Sequence, residues 1–186
     1  MPHPIGHKIT NAVYASTLRA FRDGGADALY TGEIARSIIA AASAAPVRPG
    51  SLTLKDFADY RIETRPAACI DYRKHRVCSM GPSSSGGIAI GQTLKMLERF
   101  DLGRDPTDAT MMHLISEAEK LAYADRDRYI GDPEFVRVPT GMLDTGYLTA
   151  RSRMISTDAV MQQPEAGQPP GKTGAVHGKD ATSEVP

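Results

Sequence analysis

The stretch from Cys78 to Phe100 constrains this chain more than any other. Cys78 and Ser79 close an extended run, Met80-Gly81-Pro82-Ser83-Ser84-Ser85-Gly86-Gly87 is a turn-forming cluster, and Ile88 to Phe100 has helical spacing. Ile90, Leu94 and Leu97 fall at i, i+4 and i+7, which predicts one buried face. Ser84 or Ser85 stands at the N-cap position, and Gly86-Gly87 permits close backbone approach. Such a junction offers free N–H groups at a positive helix end, so a phosphate cradle and a serine nucleophile both need testing. Gly81 and Gly86 have the G-x-x-x-x-G spacing, but Gly87-Ile88 stands where Lys-Ser/Thr is required. A nucleophile elbow requires Gly-x-Ser-x-Gly, which no serine here satisfies, and nothing places His75 or His113 beside the loop as a base. Ser84, Ser85, Gly86 and Gly87 therefore read as residues that shape a strand-to-helix turn, not as catalytic groups.

Upstream, Asn11 to Arg22 is expected to form a helix with Val13, Leu18 and Phe21 on its apolar side, stopped by Asp23-Gly24-Gly25. Thr31-Gly32 opens a second helix, Glu33 to Ala45, with Ile34, Ile38 and Ala41 or Ala42 along one side. Thr53-Leu54-Lys55-Asp56 has the shape of a capping box, with Asp in place of Glu or Gln, for a short helix through Tyr60. Ala67–Tyr72 and His75–Ser79 read as a hairpin over Arg73-Lys74. A two-residue turn sets Cys69 opposite Cys78 at a non-hydrogen-bonded pair, within reach of a disulfide. Lys74 is a poor second residue for a primed turn, and a wider loop would break the register. A disulfide and a pair of buried free thiols both stay open.

Downstream, Asp105 or Thr107 is expected to cap the longest helix, residues 106–129, with Met111, Leu114, Ala118, Leu121 and Ala122 as its apolar stripe. Glu117, Lys120, Asp125, Arg126 and Arg128 read as a solvated or ion-paired face, and His113 as structural. Phe135 to Pro139 is extended, and Leu143 to Ile155 forms a last helix with Leu148, Ala150 and Ile155 apolar. From Ser156 the composition turns to Gly, Pro, Gln, Ser and Thr without periodicity, so residues 1–155 read as one partial domain and 156–186 as a linker or tail.

With 22 basic and 22 acidic residues in 186, no charge-driven affinity for nucleic acid or anionic membrane is implied. No apolar run approaches the roughly 20 residues of a membrane span. Met1-Pro2-His3-Pro4 has neither the basic start nor the apolar run of a secretion signal. His3 and His7 have the i, i+4 spacing of helical metal ligands, but Pro4 argues against that helix. Two cysteines are too few for a structural zinc site, and no metal or cofactor is expected.

Met80 to Gly87, followed by Glu117-Ala118-Glu119-Lys120-Leu121-Ala122-Tyr123-Ala124-Asp125-Arg126, resembles the gamma-glutamyltranspeptidase family, whose loop is richer in proline. Gly131-Asp132-Pro133-Glu134-Phe135-Val136 and Gly24-Gly25-Ala26-Asp27-Ala28-Leu29-Tyr30 extend the resemblance, which covers about residues 9–155. It implies an α+β chain, helix-rich with one β-hairpin, forming part of the αββα sandwich of the N-terminal nucleophile hydrolases. Members are zymogens that cut themselves into a large and a small subunit. The new N-terminal threonine of the small subunit attacks a γ-glutamyl amide such as glutathione, with its own amine as base. Water or an amino acid then takes the γ-glutamyl group.

The matching part is the C-terminal half of the large subunit. Ser183-Glu184-Val185-Pro186 resembles the segment before the family's Thr-Thr-His cleavage site, and no Thr-Thr-His occurs in the chain. The resemblance thus places no catalytic or substrate-binding residue here. It implies a chain inactive alone, whose partners are the rest of the large subunit and the catalytic small subunit. The alternatives are a piece of a cephalosporin acylase-like relative, or a non-catalytic remnant that acts by association with itself or another subunit. The family is usually periplasmic or otherwise extracytoplasmic.

Overall fold

The computed structural model describes residues 2–176, which divide into two compact units after Glu63. Ser183 to Pro186, the segment resembling a cleavage-site flank, lies outside the described residues.

The first unit holds three helices: α1 (Ala12–Tyr30), α2 (Glu33–Ser43) and α3 (Leu54–Asp59). Asn11 caps α1 by accepting the Tyr14 N–H at 2.9 Å. The glycine pair does not end this helix. It kinks it, because Gly25 takes φ +59°, a conformation open to glycine, and helical turns resume up to Tyr30. On α2 the inward face carries Ala35, buried, with Ile34, Ile39 and Ala42 half-buried, whereas Ile38 and Ala41 are exposed. The expected face is therefore rotated. The capping box of α3 forms as expected: Thr53 N–H donates to Asp56 Oδ2 at 2.7 Å, and Asp56 N–H to Thr53 Oγ1 at 3.4 Å. Val13, Leu18 and Phe21, the expected apolar side of α1, all stay exposed, Val13 to 79%. Helical periodicity marks them as a face but does not supply a surface to cover it.

The second unit opens with an antiparallel hairpin, β1 (Ala68–Tyr72) and β2 (His75–Ser79), in the register Cys69↔Cys78, Ile70↔Val77, Asp71↔Arg76. Arg73 accepts a positive φ of 53° in the turn. Its N–H is held by Glu98 Oε1 at 3.1 Å and its guanidinium reaches the Phe100 carbonyl at 3.4 Å. The two-residue turn and its register thus form without glycine. Cys69 and Cys78 are joined in a disulfide, with Cα atoms 4.1 Å apart. This overturns the reading as buried free thiols. Successive side chains alternate faces, and because Ile70 and Val77 take the inward face the cysteines lie on the other. Cys78 is exposed and Cys69 half-buried.

Helices α4 (Gly86–Leu97), α5 (Ala109–Tyr129) and α6 (Thr145–Ser152) pack together over one core. Met96, Leu97, Leu114, Ala118, Leu121, Ala122, Leu148 and Ile155 form it. The stripe of α4 differs from expectation: Ile88, Ala89, Gln92, Met96 and Leu97 are buried, while Ile90 is 52% exposed. Gly91 explains the rotation, since a Cβ there would crowd Ile70 and Leu143 and only glycine lets β1 and the 143 region close on the helix. Asp108 caps α5, its Oδ1 accepting the Met111 N–H at 2.9 Å. Asp105 instead folds an Asx turn with Thr107 N–H and Oγ1 at 2.9 and 2.7 Å. The expected helix 143–155 is shortened to α6, Thr145–Ser152, because Leu143 ends a preceding 3₁₀ turn, Thr140–Leu143, and Asp144 caps α6 through the Tyr147 N–H at 2.8 Å. Ala150 is exposed.

Residues 156–176, linker-like by composition, follow a defined path over the second unit. Arg137 N–H donates to the Gly174 carbonyl at 2.7 Å, Gly141 N–H to that of Pro170 at 2.7 Å, and Val176 N–H to that of Phe135 at 3.0 Å. Polar side chains of α5 and α6 supply further anchors.

Candidate functional site

The loop carrying Ser84, Ser85, Gly86 and Gly87 joins β2 to α4 as a tight backbone crossing. Gly87 is buried where a Cβ would collide with the Met80 carbonyl oxygen, so the first turn of α4 lies directly on the end of β2. Ser85 is the N-cap residue, but its side chain caps nothing: its backbone is already helical, at φ −86° and ψ −17°. Its Oγ instead accepts from Arg126 Nε at 3.3 Å, tying the loop to α5. Among the described residues no histidine or carboxylate makes a hydrogen bond to Ser83, Ser84 or Ser85, so none has the adjacent base that activates a hydroxyl. Beside the loop a groove of about 320 Å³ is walled by Ala89, Ile90, Leu94 and Tyr123 with Glu119 on one side. Exposure of Ile90 follows from its place on this wall.

The other candidate histidines have structural settings. His113 Nε2 lies 3.0 Å from the Ser156 carbonyl. His3 and His7 stack ring on ring at 4.4 Å around a turn in which His7 N–H donates to the Pro4 carbonyl, not along a helix. A cluster of three or more His, Cys, Asp or Glu side chains fit to hold a metal does not occur among the described residues.

The most ordered polar chemistry was missed by sequence reasoning. Asp125 is 1% exposed and takes four hydrogen bonds. Its Oδ2 accepts from Tyr147 OH at 2.6 Å and Gln92 Nε2 at 3.2 Å, and its Oδ1 from Arg151 Nη2 at 3.0 Å and Gly167 N–H at 2.8 Å. Arg151 Nη2 also donates to the carbonyls of Leu121 and Glu165, at 3.1 and 2.8 Å. Burial, then the hydrogen bond to Asp125, push the Tyr147 hydroxyl pKa well above the ordinary phenol value. One turn-pair earlier on α5, Glu117 is also 1% exposed; its Oε1 accepts from Lys120 Nζ at 2.7 Å and its Oε2 from Met161 N–H at 2.8 Å. Burial alone would raise the Glu117 pKa, but the Lys120 ammonium and the Met161 N–H outweigh it and hold it below the ordinary carboxylate value. Both oxygens of each carboxylate are engaged by protein donors, an arrangement that fixes α4, α5, α6 and residues 161–167 to one another, while Gln92 Oε1 and Arg151 Nε stay buried without a partner.

The buried carboxylates were legible in one respect. Glu117 and Asp125 share the helical face of Leu114, Ala118 and Leu121, which the spacing alone shows. Reading them as a solvated or ion-paired face fits the pairing, since Glu117 meets Lys120 and Asp125 meets Arg151, but it gave charge priority over position and missed their burial.

The family model for gamma-glutamyltranspeptidase matches residues 1–184. The chain belongs to the gamma-glutamyltranspeptidase family. It is 38% identical over 184 residues to the glutathione hydrolase proenzyme of Escherichia coli, an alignment covering 97% of this chain and 31% of that protein. Its fold is similar to that of Helicobacter pylori gamma-glutamyltranspeptidase, with a TM-score of 0.68 and 32% identity over 82% of this chain and 44% of that one. It is similar also to a cephalosporin acylase from Bacillus halodurans, with a TM-score of 0.67 and 31% identity over 83% of this chain and 28% of that one. The chain spans under a third of the length of its E. coli relative. The helix-rich α+β fold with a hairpin thus belongs to the N-terminal nucleophile hydrolases, though the sheet of the described residues has two strands and builds no sandwich alone.

Proposed function

We propose that this family member is the C-terminal half of the large subunit of a gamma-glutamyltranspeptidase, and that it is a scaffold to the catalytic subunit with no turnover of its own. The similarity to the E. coli glutathione hydrolase proenzyme carries the reading, since it runs through almost all of this chain and through only 31% of that protein. Two observations support inactivity alone: the chain has no Thr-Thr-His, and no loop serine has a base among the described residues. In this reading the loop from Met80 to Gly87 and the Asp125 cluster are positioning elements. The nucleophilic threonine, the oxyanion donors and the carboxylate-binding arginine all come from the remaining large subunit and the small subunit.

The acylase reading is the second, on the near-equal likeness to the cephalosporin acylase. One experiment addresses both. The isolated chain is assayed with a γ-glutamyl anilide, then this chain replaces the matching segment of the E. coli protein. Self-cleavage and γ-glutamyl release by the chimera alone are expected. Turnover by the isolated chain would refute the scaffold reading, and maturation when this chain replaces the matching segment of the cephalosporin acylase but not that of the E. coli protein would favour the acylase.

A further inference from the structure

We propose that Cys78 is a site of modification by low-molecular-weight thiols, which exchange with the Cys69–Cys78 disulfide and thereby release β2 and the loop that follows it. Three observations carry this. First, the disulfide lies on the outer face of the hairpin, and its two residues differ in exposure: Cys78 is exposed and Cys69 half-buried, which favours approach of an incoming thiolate from the Cys78 side. Second, residues two apart share a strand face, so exposed Arg76 stands beside Cys78 and exposed Asp71, opposite it, beside Cys69, which puts positive charge on the Cys78 side of the disulfide and negative charge on the Cys69 side and favours attack by a thiolate at Cys78.

Third, the strands are held unequally. β1 is anchored on α4 through buried Ile70 and through Lys95 Nζ donating to the Asp71 carbonyl at 3.1 Å. β2 has only Val77 partly buried, so beyond its backbone pairing to β1 the disulfide is its main tie. β2 runs straight into Met80, whose carbonyl underlies Gly87. Opening the bond therefore leaves β1 in place and loosens the strand that sets the loop.

The chemistry balances with the thiol as sole co-reactant. The thiolate attacks Cys78 Sγ, a new S–S bond forms between them, and the Cys69–Cys78 bond breaks. Cys69 leaves as a thiolate and takes a proton from water. A second thiol attacking the mixed disulfide returns free Cys78 and the oxidised thiol dimer.

The native chain is incubated with reduced glutathione or, separately, with 2-mercaptoethanol, which has no γ-glutamyl group, then alkylated and peptide-mapped. The expected product carries the thiol on Cys78 and the alkyl group on Cys69 with both reagents. Hydrogen exchange of the amides from Ser79 to Gly87 should accelerate in that product while those of Leu114–Ala122 do not change. A pair that stays closed in the native chain yet opens in urea overturns the proposal, as does an adduct found on Cys69. An adduct on Cys78 with unchanged exchange at 79–87 overturns its coupling to the loop.

Discussion

Asp125 answers four donors from three separate stretches of chain, so its replacement is expected to be costly out of proportion to its size. In Asp125→Ala the Arg151 guanidinium, 5% exposed, stays in the core without its counter-charge. Breaking a buried ion pair from one side costs about 3–5 kcal/mol, and urea unfolding should show a loss of that order. Glu117 gives the pH dependence. Its folded pKa is held below the unfolded value, so its contribution is fully present above about pH 4.3, the ordinary glutamate value, and is lost as pH falls through the folded one. Glu117→Gln should therefore be less stable than the parent at pH 7, and unfolding at pH 3 should show a smaller difference. Both residues sit on the buried stripe of α5 by spacing alone, so their burial was readable. Their partners were not: Tyr147, Arg151, Met161 and Gly167 approach only after the chain has turned back twice.

Among elements, the hairpin shows what local pattern can and cannot fix. Its strand limits and register were legible from alternation and from the Arg73-Lys74 turn, and the opposition of Cys69 to Cys78 followed from that register. Bond formation did not follow, because the turn lacks the glycine that would have guaranteed it. Glu98, twenty-five residues on, holds the Arg73 N–H instead. The double variant Cys69→Ser, Cys78→Ser should lose about 2–3 kcal/mol by the chain-entropy relation for so short a loop, as thermal or urea unfolding would show. The α4 stripe was misread for a related reason: Gly91 and Gln92 are buried because β1 and Asp125 need room and a donor there, and hydrophobic spacing registers neither.

For the whole molecule, the first unit exposes Ile5, Ile9, Val13, Leu18, Phe21 and Ile62 to an extent few stable monomers tolerate. Periodicity named some of these as apolar faces, but what covers them is not written in this stretch of sequence. The isolated chain is expected to bind a hydrophobic dye and to associate as its concentration rises; a monomer by light scattering at all concentrations, without dye enhancement, would contradict this. Across the second unit, legibility ended where residues 156–176 begin, since composition carries no trace of a path set by single hydrogen bonds to side chains far upstream. The Asp125 cluster also bears on how such a chain can change over time. Gln92, Asp125, Tyr147 and Arg151 share one set of protons and lone pairs, so a substitution at any one alters which residues the other three positions can accept. A deep mutational scan of double variants should find these scattered positions inherited as a single block, while the exposed wall around Ile90 drifts one residue at a time.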